Sequence, residues 1–375
     1  MTNFMNILHL YRTFFPESQG GLEESIYQIS SNTRHYGVEP RVLVPSNDGK
    51  CSFDHKTIPV QSFQRHGEIA SCDWGLSALG ELKANLEWAD ILHLHYPWPF
   101  ADLLLFLSRS KIPTVLTYHS DIVRQKLLMK PYQPLQKWYL GRVDKIIATS
   151  QNYIDTSEVL PNYSDKTSVI PLGISEGNSN QQDVAIDKQS KFSTLPEKFV
   201  FFVGVLRYYK GLRYLLEAAQ EQSFHIVIAG DGREKDELLS LKDSLQLTNV
   251  TFLGHISDED KFQLMRQSSI VVLPSCERSE AFGMTLVEAS MMSKPMITCE
   301  LGTGTSFVNK HKVTGLVVEP KSASALSESI NSLIHDDEKL TQYGQAARLR
   351  YEELFSGPAL GREYAKVYES LLDGN

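Results

Sequence analysis

The chain has 375 residues, a formal net charge of −8 and an apolar content of 42%, which is ordinary for a soluble globular protein. This length is sufficient for two domains that each bury a core, and the acidic balance gives no reason to expect a nucleic-acid partner. The four cysteines include no C-x-x-C pair, so neither a zinc site nor a disulfide framework is indicated. No apolar run approaches the roughly 18–20 residues of a membrane span.

Apolar runs alternate with helical segments along the first half of the chain. Because strands that alternate with helices form parallel sheets, residues 1–172 are expected to be a Rossmann-like domain. The dinucleotide fingerprint G-x-G-x-x-G is absent. The predicted strands are residues 6–11, 41–44, 90–95, 114–119, 145–149 and 168–172.

The loop after the first predicted strand ends in Gly20 and Gly21, directly before a predicted helix over residues 22–36. Paired glycines let the backbone approach a ligand closely, although a plain turn remains the alternative. Gly37 is expected to end the helix in a left-handed conformation.

Three histidines of this half are candidate site residues. His93 and His95 are two positions apart and therefore point to one face of their strand; a structural role is favoured over a metal site, since no third ligand is nearby in the sequence. His119 ends a strand, where ligands bind in parallel sheets, and is either a core residue or a ligand-binding one. Asp121 either orients this region or caps the next helix.

Residues 122–145 contain six lysines and arginines against one aspartate, interleaved with large apolar and aromatic residues. This composition suits docking on an anionic membrane leaflet. The alternative is an amphipathic helix that packs on the sheet with a solvated basic face, and the two interpretations are compatible.

Residues 173–198 are polar and are predicted to be a linker. The alternation then resumes over residues 199–357, and a last helix is expected within residues 358–375. Asp258 and Asp260 form a D-x-D, but Ser257 before them favours a capped helix start over a metal site. The predicted strands are residues 199–205, 225–230, 250–253, 270–273, 295–299 and 316–318.

Candidate site residues follow two of these strands. Glu280 lies in the loop after residues 270–273, and Gly283 begins a helix whose free N–H groups suit a phosphate. Glu288, eight positions after Glu280, is placed to face the other end of one bound ligand. Arg207 and Lys210 follow the strand over residues 199–205 and form a candidate diphosphate clamp, although surface cations are common.

The segment R-S-E-A-F-G-M-T-L-V-E-A resembles the Glu-x7-Glu signature of the family 4 retaining glycosyltransferases, which have the GT-B fold. The resemblance implies two Rossmann-like domains, the second binding the nucleotide sugar, that face a central cleft, with the last helix returning to the first domain. It implies that His119 and Glu280 act on the donor sugar, that Glu288 binds the ribose and that no metal is required. The remaining implied donor-binding residues are Gly20, Gly21, Arg207, Lys210, Phe282 and Gly283.

Two details refine the resemblance. The family's first loop, P-x-x-x-G-G-x-E, is matched by Pro16, Gly20, Gly21 and Glu23. The family's usual arginine directly after the strand glycine is absent, because Val205 stands there and Arg207 comes two positions late.

Further segments, among them T-Y-H-S-D-I-V-R-Q and F-V-G-V-L-R-Y-Y-K-G, resemble the mannosyl- and D-rhamnosyltransferases of polysaccharide assembly in Gram-negative bacteria. This implies a GDP-mannose or GDP-rhamnose donor and a glycan acceptor on undecaprenyl diphosphate, used at the cytoplasmic face of the inner membrane. An α-mannosyltransferase of O-antigen synthesis is the first choice. The alternatives are the same chemistry with GDP-rhamnose or a UDP-sugar, a nucleotide-sugar epimerase, and a non-catalytic sugar-nucleotide binding protein.

Overall fold

The computed structural model describes residues 4–69, 72–122, 126–177, 192 and 194–374. The chain divides into two compact units, one formed by Met1–Ser175 with Gly357–Asn375 and the other by Glu176–Ser356. Residues 178–191 and 193 of the predicted linker lie outside the described part of the chain.

The first unit is built on one eight-stranded sheet with the order β10-β9-β8-β7-β1-β2-β4-β3, in which β3 alone runs antiparallel, to β4. The strands of this unit, numbered in chain order, are β1 (Met5–Leu10), β2 (Val38–Ser46), β3 (Ser52–His55), β4 (Ile58–Gln64), β5 (Gly67–Ile69), β6 (Cys72–Trp74), β7 (Ile91–Tyr96), β8 (Thr114–Tyr118), β9 (Lys145–Ala148) and β10 (Thr167–Val169). Strands β5 and β6 pair with each other in a separate two-stranded sheet. Its helices are α1 (Gly21–Thr33), α2 (Ala78–Leu86), α3 (Pro99–Ser108), α4 (Lys126–Arg142), α5 (Gln151–Thr156) and the C-terminal α13 (Gly357–Asp373).

Each strand predicted in this half overlaps an observed one, but the prediction missed β3 to β6. Of these strands, β3, β5 and β6 have only three or four residues, and the seven-residue β4 includes Pro59, Gln61, Ser62 and Gln64 among its apolar residues. The pairs β3–β4 and β5–β6 are antiparallel. Antiparallel pairing stabilises such strands through backbone hydrogen bonds to a neighbour, and no long apolar run marks them in the sequence.

The second unit contains a six-stranded parallel sheet with the order β13-β12-β11-β14-β15-β16. This is the doubly wound Rossmann order, in which the sequence of strands reverses direction between β11 and β14. The strands are β11 (Phe199–Val203), β12 (His225–Ala229), β13 (Val250–Gly254), β14 (Ile270–Leu273), β15 (Met296–Cys299) and β16 (Gly315–Val318). The helices are α6 (Leu212–Ala218), α7 (Lys235–Ser244), α8 (Asp258–Gln267), α9 (Met284–Met291), α10 (Gly304–Val308), α11 (Ala323–Ile334) and α12 (Asp337–Arg350).

Helix α13 packs in the core of the first unit. Leu360, Tyr364 and Tyr368 are buried in one cluster with central strand residues such as Ile7 of β1. A Cβ at Gly361 would lie 2.5 Å from the backbone oxygen of Asn32 on α1, so glycine is required for the two helices to approach this closely.

Two predicted helix ends are confirmed. Gly37 has a left-handed backbone with φ of 76° after the turn that follows α1. The Ser257 side chain accepts a hydrogen bond from the Asp260 N–H and so caps α8. Among the helices of the described residues, none combines the length and the apolar composition of a membrane span.

Candidate active site

The loop after β11 positions Lys210. Arg207 is extended and exposed, and a single 3₁₀ turn over Tyr208–Lys210 follows it. Gly211 then adopts φ of 69°, and a Cβ there would lie 2.1 Å from the oxygen of Pro274. Glycine therefore lets this loop pack against the end of β14, beside the point where the strand order reverses.

Glu280 meets Lys210 at this edge of the sheet. The Lys210 Nζ lies 2.5 Å from Glu280 Oε2, and the two side chains are 12% and 10% exposed. The same carboxylate oxygen accepts a hydrogen bond of 2.9 Å from Ser275, which directly follows β14 and Pro274. Two of the predicted site residues, 70 positions apart, thus form a nearly buried ion pair.

The backbone of Glu280 is held from a third loop. Thr303, which precedes α10, donates its hydroxyl hydrogen to the Glu280 carbonyl over 2.8 Å, and the Gly304 N–H bonds the oxygen of Ala281 over 2.8 Å. A Cβ at Gly304 would lie 2.3 Å from the Phe282 ring. The turn that contains Thr303 and Gly304 therefore holds the loop of Glu280 in place.

Helix α9 carries the second glutamate. Gly283 precedes it with φ of 84°, and a Cβ there would lie 2.9 Å from Leu273. Phe282 is buried, with its ring against Phe355. Only the second half of the Glu280–Glu288 spacing is helical, because the residues up to Gly283 belong to the loop.

Glu288 is paired with a lysine that sequence reasoning missed. Lys261 of α8 lies 2.7 Å from Glu288 and 3.0 Å from Asp258. Burial disfavours the Lys261 ammonium, but the two carboxylates outweigh it and raise the pKa of Lys261. Helical spacing places Lys261 three residues after Asp258, yet nothing in the sequence links it to Glu288.

In the first unit, the predicted glycine loop leads into α1. Gly20 precedes the helix with an extended backbone, and the buried Glu23 folds back to accept a 2.6 Å hydrogen bond from Ser18. Burial opposes the charge of Arg12, but Tyr11, Asp73 and Glu23 outweigh it and raise the pKa of Arg12. Arg12 is a cation at the end of β1 that the sequence analysis did not single out.

His119 follows β8 and is 3% exposed. Its Nε2 lies 3.1 Å from His95 Nδ1, and burial lowers the pKa of His119 to about 3, so the ring is neutral. Asp121 accepts hydrogen bonds from Tyr118 and Ser157, which anchors the loop that follows.

Comparison with known proteins identifies the family. The model for glycosyl transferases group 1 matches residues 183–350, and the model for glycosyltransferase family 4 matches residues 19–177. An O-antigen chain mannosyltransferase C from Escherichia coli is 42% identical over 98% of this chain and 99% of its own length. The chain is a family 4 glycosyltransferase.

A second relative of this glycosyltransferase is nearly as similar. The D-rhamnosyltransferase WbpZ from Pseudomonas aeruginosa is 40% identical over 94% of this chain and 92% of its own length. Among solved structures, Anabaena HepE in complex with UDP has a TM-score of 0.79 at 21% identity, covering 98% of this chain and 100% of that one. WaaG, involved in lipopolysaccharide biosynthesis, has a TM-score of 0.69 at 17% identity, covering 96% and 99%. These likenesses show that the glycosyltransferase has the GT-B fold.

In the second unit of the glycosyltransferase, the predicted residues cluster at the carboxyl edge of the sheet. Lys210 and Glu280 are in contact. Gly283 precedes the neighbouring helix α9, and Glu288 is the fifth residue of that helix. Arg207 is exposed and, within the described residues, is not among the ion pairs. His119, Gly20 and Gly21 belong to the first unit.

Proposed function

We propose that the enzyme transfers mannose from GDP-mannose, with retention of the α configuration, to a glycan carried on undecaprenyl diphosphate in O-antigen synthesis. The Lys210–Glu280 pair at the switch point of the second sheet is the observation that carries the proposal. The mannosyltransferase relative at 42% identity supports mannose. The rhamnosyltransferase at 40% identity keeps GDP-rhamnose as the second candidate donor.

The leaving group of such a transfer is a nucleoside diphosphate, whose negative charge must be stabilised as the glycosidic bond breaks. The Lys210 ammonium has three N–H donors, so it can keep Glu280 and still donate to a phosphate oxygen. The N-terminus of α9 after Gly283 adds positive potential. Both groups are fixed before the substrate arrives, which is the arrangement that favours charge stabilisation in the transition state.

In this mechanism Glu280 holds the donor sugar beside its anomeric carbon. Hydrogen bonds to its carboxylate and to its backbone carbonyl restrict its movement. The acceptor hydroxyl attacks the anomeric carbon on the face that the leaving phosphate departs from, and a phosphate oxygen takes the hydroxyl proton. This route needs no protein nucleophile, and Glu288 serves to accept hydrogen bonds from the ribose hydroxyls.

We also propose that the transfer requires no divalent cation. The two glutamates of the site each have a lysine as partner, Lys210 for Glu280 and Lys261 for Glu288. Carboxylates that ligate a metal would instead converge on one ion with their oxygens. The positive charge that a cation would supply to the diphosphate comes here from Lys210 and the α9 terminus.

A lipid-linked acceptor requires access to a membrane surface, and the outer face of α3 and α4 is suited to it. We call this face the α3–α4 patch. Phe106 and Trp138 are 49% and 37% exposed and stack edge to face, beside Arg109 and Arg142. Basic side chains around exposed aromatic ones favour an anionic leaflet. The patch borders an open pocket of about 580 Å³ lined by Lys83, Leu105, Phe106, Leu107, Arg109, Ser110, Trp138 and Arg142.

The donor proposal is tested by calorimetry with GDP, UDP, GDP-mannose and GDP-rhamnose in the presence of EDTA. We expect GDP and GDP-mannose to bind without metal and Lys210→Met to weaken both. Arg213→Met, which removes an exposed cation on α6 that is paired with Glu217, is the matched control and should bind normally. A preference for UDP would exclude the GDP donor, and the absence of any nucleotide binding would refute the proposed site.

The membrane proposal is tested by co-sedimentation with vesicles that contain anionic lipid. Charge reversal at Lys126 and Lys130 of α4, and Trp138→Ala in the α3–α4 patch, should each reduce the bound fraction. Lys366→Glu reverses an exposed charge on α13 and should have no effect. Equal co-sedimentation of all variants would exclude this surface.

A further inference from the structure

Four buried histidines lie side by side across the centre of the first sheet. His9 is on β1, His93 and His95 are on β7, and His119 follows β8; the first three are fully buried and His119 is 3% exposed. Of these four, only His119 has a role implied by the resemblance to family 4 glycosyltransferases, that of acting on the donor sugar. Four imidazoles in a core are unusual, since neutral polar rings are buried only where their nitrogens find partners.

Three of these rings form a continuous hydrogen-bonded chain. His119 Nε2 lies 3.1 Å from His95 Nδ1, and His95 Nε2 lies 3.1 Å from His9 Nδ1. The two ends of this chain, His119 Nδ1 and His9 Nε2, are buried without a partner among the described residues. His93 is not part of it, because its nitrogens bond Tyr368 and Thr117, each over 2.7 Å.

A metal site is the other use for such a cluster, and the ring geometry opposes it. One nitrogen from each of His9, His93 and His95 lies within 4.8 Å of the others. The His93 and His95 rings, however, are stacked with centroids 4.5 Å apart and planes 16° from parallel. The lone pairs of stacked rings point side by side and do not converge on one ion, and His93 would first have to give up a hydroxyl partner.

The hydrogen-bond chain links the tautomers of its members. Burial lowers the pKa of His9 and of His119 to about 3 and that of His95 well below its usual range, so each ring is neutral and carries one N–H. If His95 is protonated on Nδ1, it donates to His119 and must accept from His9, which places all three protons on Nδ1. If His95 is protonated on Nε2, all three protons are on Nε2. His119 therefore cannot change tautomer alone.

We propose that His95 and His9 are positioning residues that hold His119 in a single tautomer, so that its free Nδ1 offers the donor sugar one fixed hydrogen-bonding role. This inference rests on the proposed function and on the role at the donor sugar that the family resemblance implies for His119. A fixed role matters because an imidazole that can either donate or accept must be reorganised before the sugar is correctly bound, and preorganised groups avoid that step.

The first test is long-range ¹H–¹⁵N correlation spectroscopy on the full chain labelled with ¹⁵N-histidine, which identifies the protonated nitrogen of each ring. We expect His9, His95 and His119 to be neutral and to share one tautomer. Different tautomers within the chain, or an imidazolium among the three, would overturn the proposal. This measurement does not depend on the donor, so it decides the proposal even if mannosyl transfer itself proves wrong.

The second test compares two leucine variants from the same strand. His95→Leu interrupts the chain, whereas His93→Leu removes a stacked imidazole outside it and is the matched control. We expect His95→Leu alone to change the His119 nitrogen signals and to lower kcat by about 10-fold, roughly the effect of one misplaced hydrogen bond, with KM for the donor little changed.

The amide of glutamine both donates and accepts, so His95→Gln should restore most of kcat. Wild-type kcat in His95→Leu, or an equal loss in His93→Leu, would contradict a positioning role. Absence of turnover in the wild-type enzyme would refute the proposed function, and the tautomer measurement would still decide the inference.

Discussion

The Lys210–Glu280 ion pair provides the sharpest test of the site. Lys210→Met removes the ammonium but keeps most of the side-chain volume, and Glu280→Gln removes the carboxylate charge but keeps a hydrogen-bond acceptor for Ser275. Each single change leaves the other charge in place with its ionic partner gone. The double variant leaves neither charge, so the three proteins form a double-mutant cycle with the wild type.

The expected loss in free energy of unfolding follows from the burial of the two side chains and the distance between them. Removing one partner of a fully buried ion pair destabilises a protein by about 3–5 kcal/mol, chiefly because the remaining charge is uncompensated. The two side chains here are 12% and 10% exposed and their charged atoms are 2.5 Å apart, so water screens the remaining charge only slightly. We expect each single variant to lose about 3 kcal/mol and the double variant about 3–4 kcal/mol, which corresponds to a coupling of about 2–3 kcal/mol.

The assay is urea unfolding followed by a probe in the second unit, with the free energies compared at equal m-values. Arg207→Met is the control, because Arg207 is an exposed cation of the same loop. Its variant should change the free energy of unfolding by less than about 0.5 kcal/mol. Additive effects of the two single variants, with a coupling below about 0.5 kcal/mol, would refute the ion pair as described.

Three further predictions concern donor binding, pH and helix packing. Glu288→Gln should weaken binding of the nucleotide by about 10-fold in calorimetry, since hydrogen bonds to a charged group contribute about 1.5–3 kcal/mol; unchanged affinity would exclude a ribose contact. Burial raises the pKa of Asp102 to about 8, so the folded state binds a proton that the unfolded state has lost above about pH 4. The contribution of Asp102 to stability should therefore fall with rising pH by up to ~1.4 kcal/mol per unit between about pH 4 and 8, so the free energy of unfolding of the wild type should decrease relative to that of Asp102→Asn between pH 5 and pH 8. Gly361→Ala should destabilise the protein by about 1–3 kcal/mol because its Cβ meets the backbone of Asn32, whereas Gly80→Ala, with open space around it, should stabilise by up to about 1 kcal/mol. Equal effects of the two alanines in thermal unfolding would contradict close packing of α1 against α13.

Much of the fold could be predicted from local patterns of apolar, glycine, proline and capping residues. The central strands of both sheets are apolar runs bounded by glycine, proline or polar residues, because strands covered on both faces must be apolar at every position. The strand β14 (Ile270–Leu273) was predicted with its observed bounds. The capping residues Ser257 and Gly37 could also be predicted from the sequence, because a cap acts within one helical turn.

The candidate site could be predicted only in part from the sequence. Glycines at strand ends and charged residues in the following loops marked Lys210, Glu280 and Gly283 as candidates, and the order of strands brings the loops after β11 and β14 to one edge. The partners Ser275, Thr303 and Lys261 were not identified as such. Their hydrogen bonds and ion pairs join residues 5 to 27 positions apart, and no local periodicity records such contacts.

Propensity, capping and apolar periodicity act over a few residues, so the type and order of the main elements follow from the amino-acid sequence. Which polar groups become neighbours depends on tertiary packing. His9, His95 and His119 come from three regions of the chain, and parallel pairing of β1, β7 and β8 places them in line. The strands β3 to β6 likewise form because β3 pairs with β4 and β5 pairs with β6. Strand register and burial act between distant residues, and they alone make three separate histidines into one hydrogen-bonded chain.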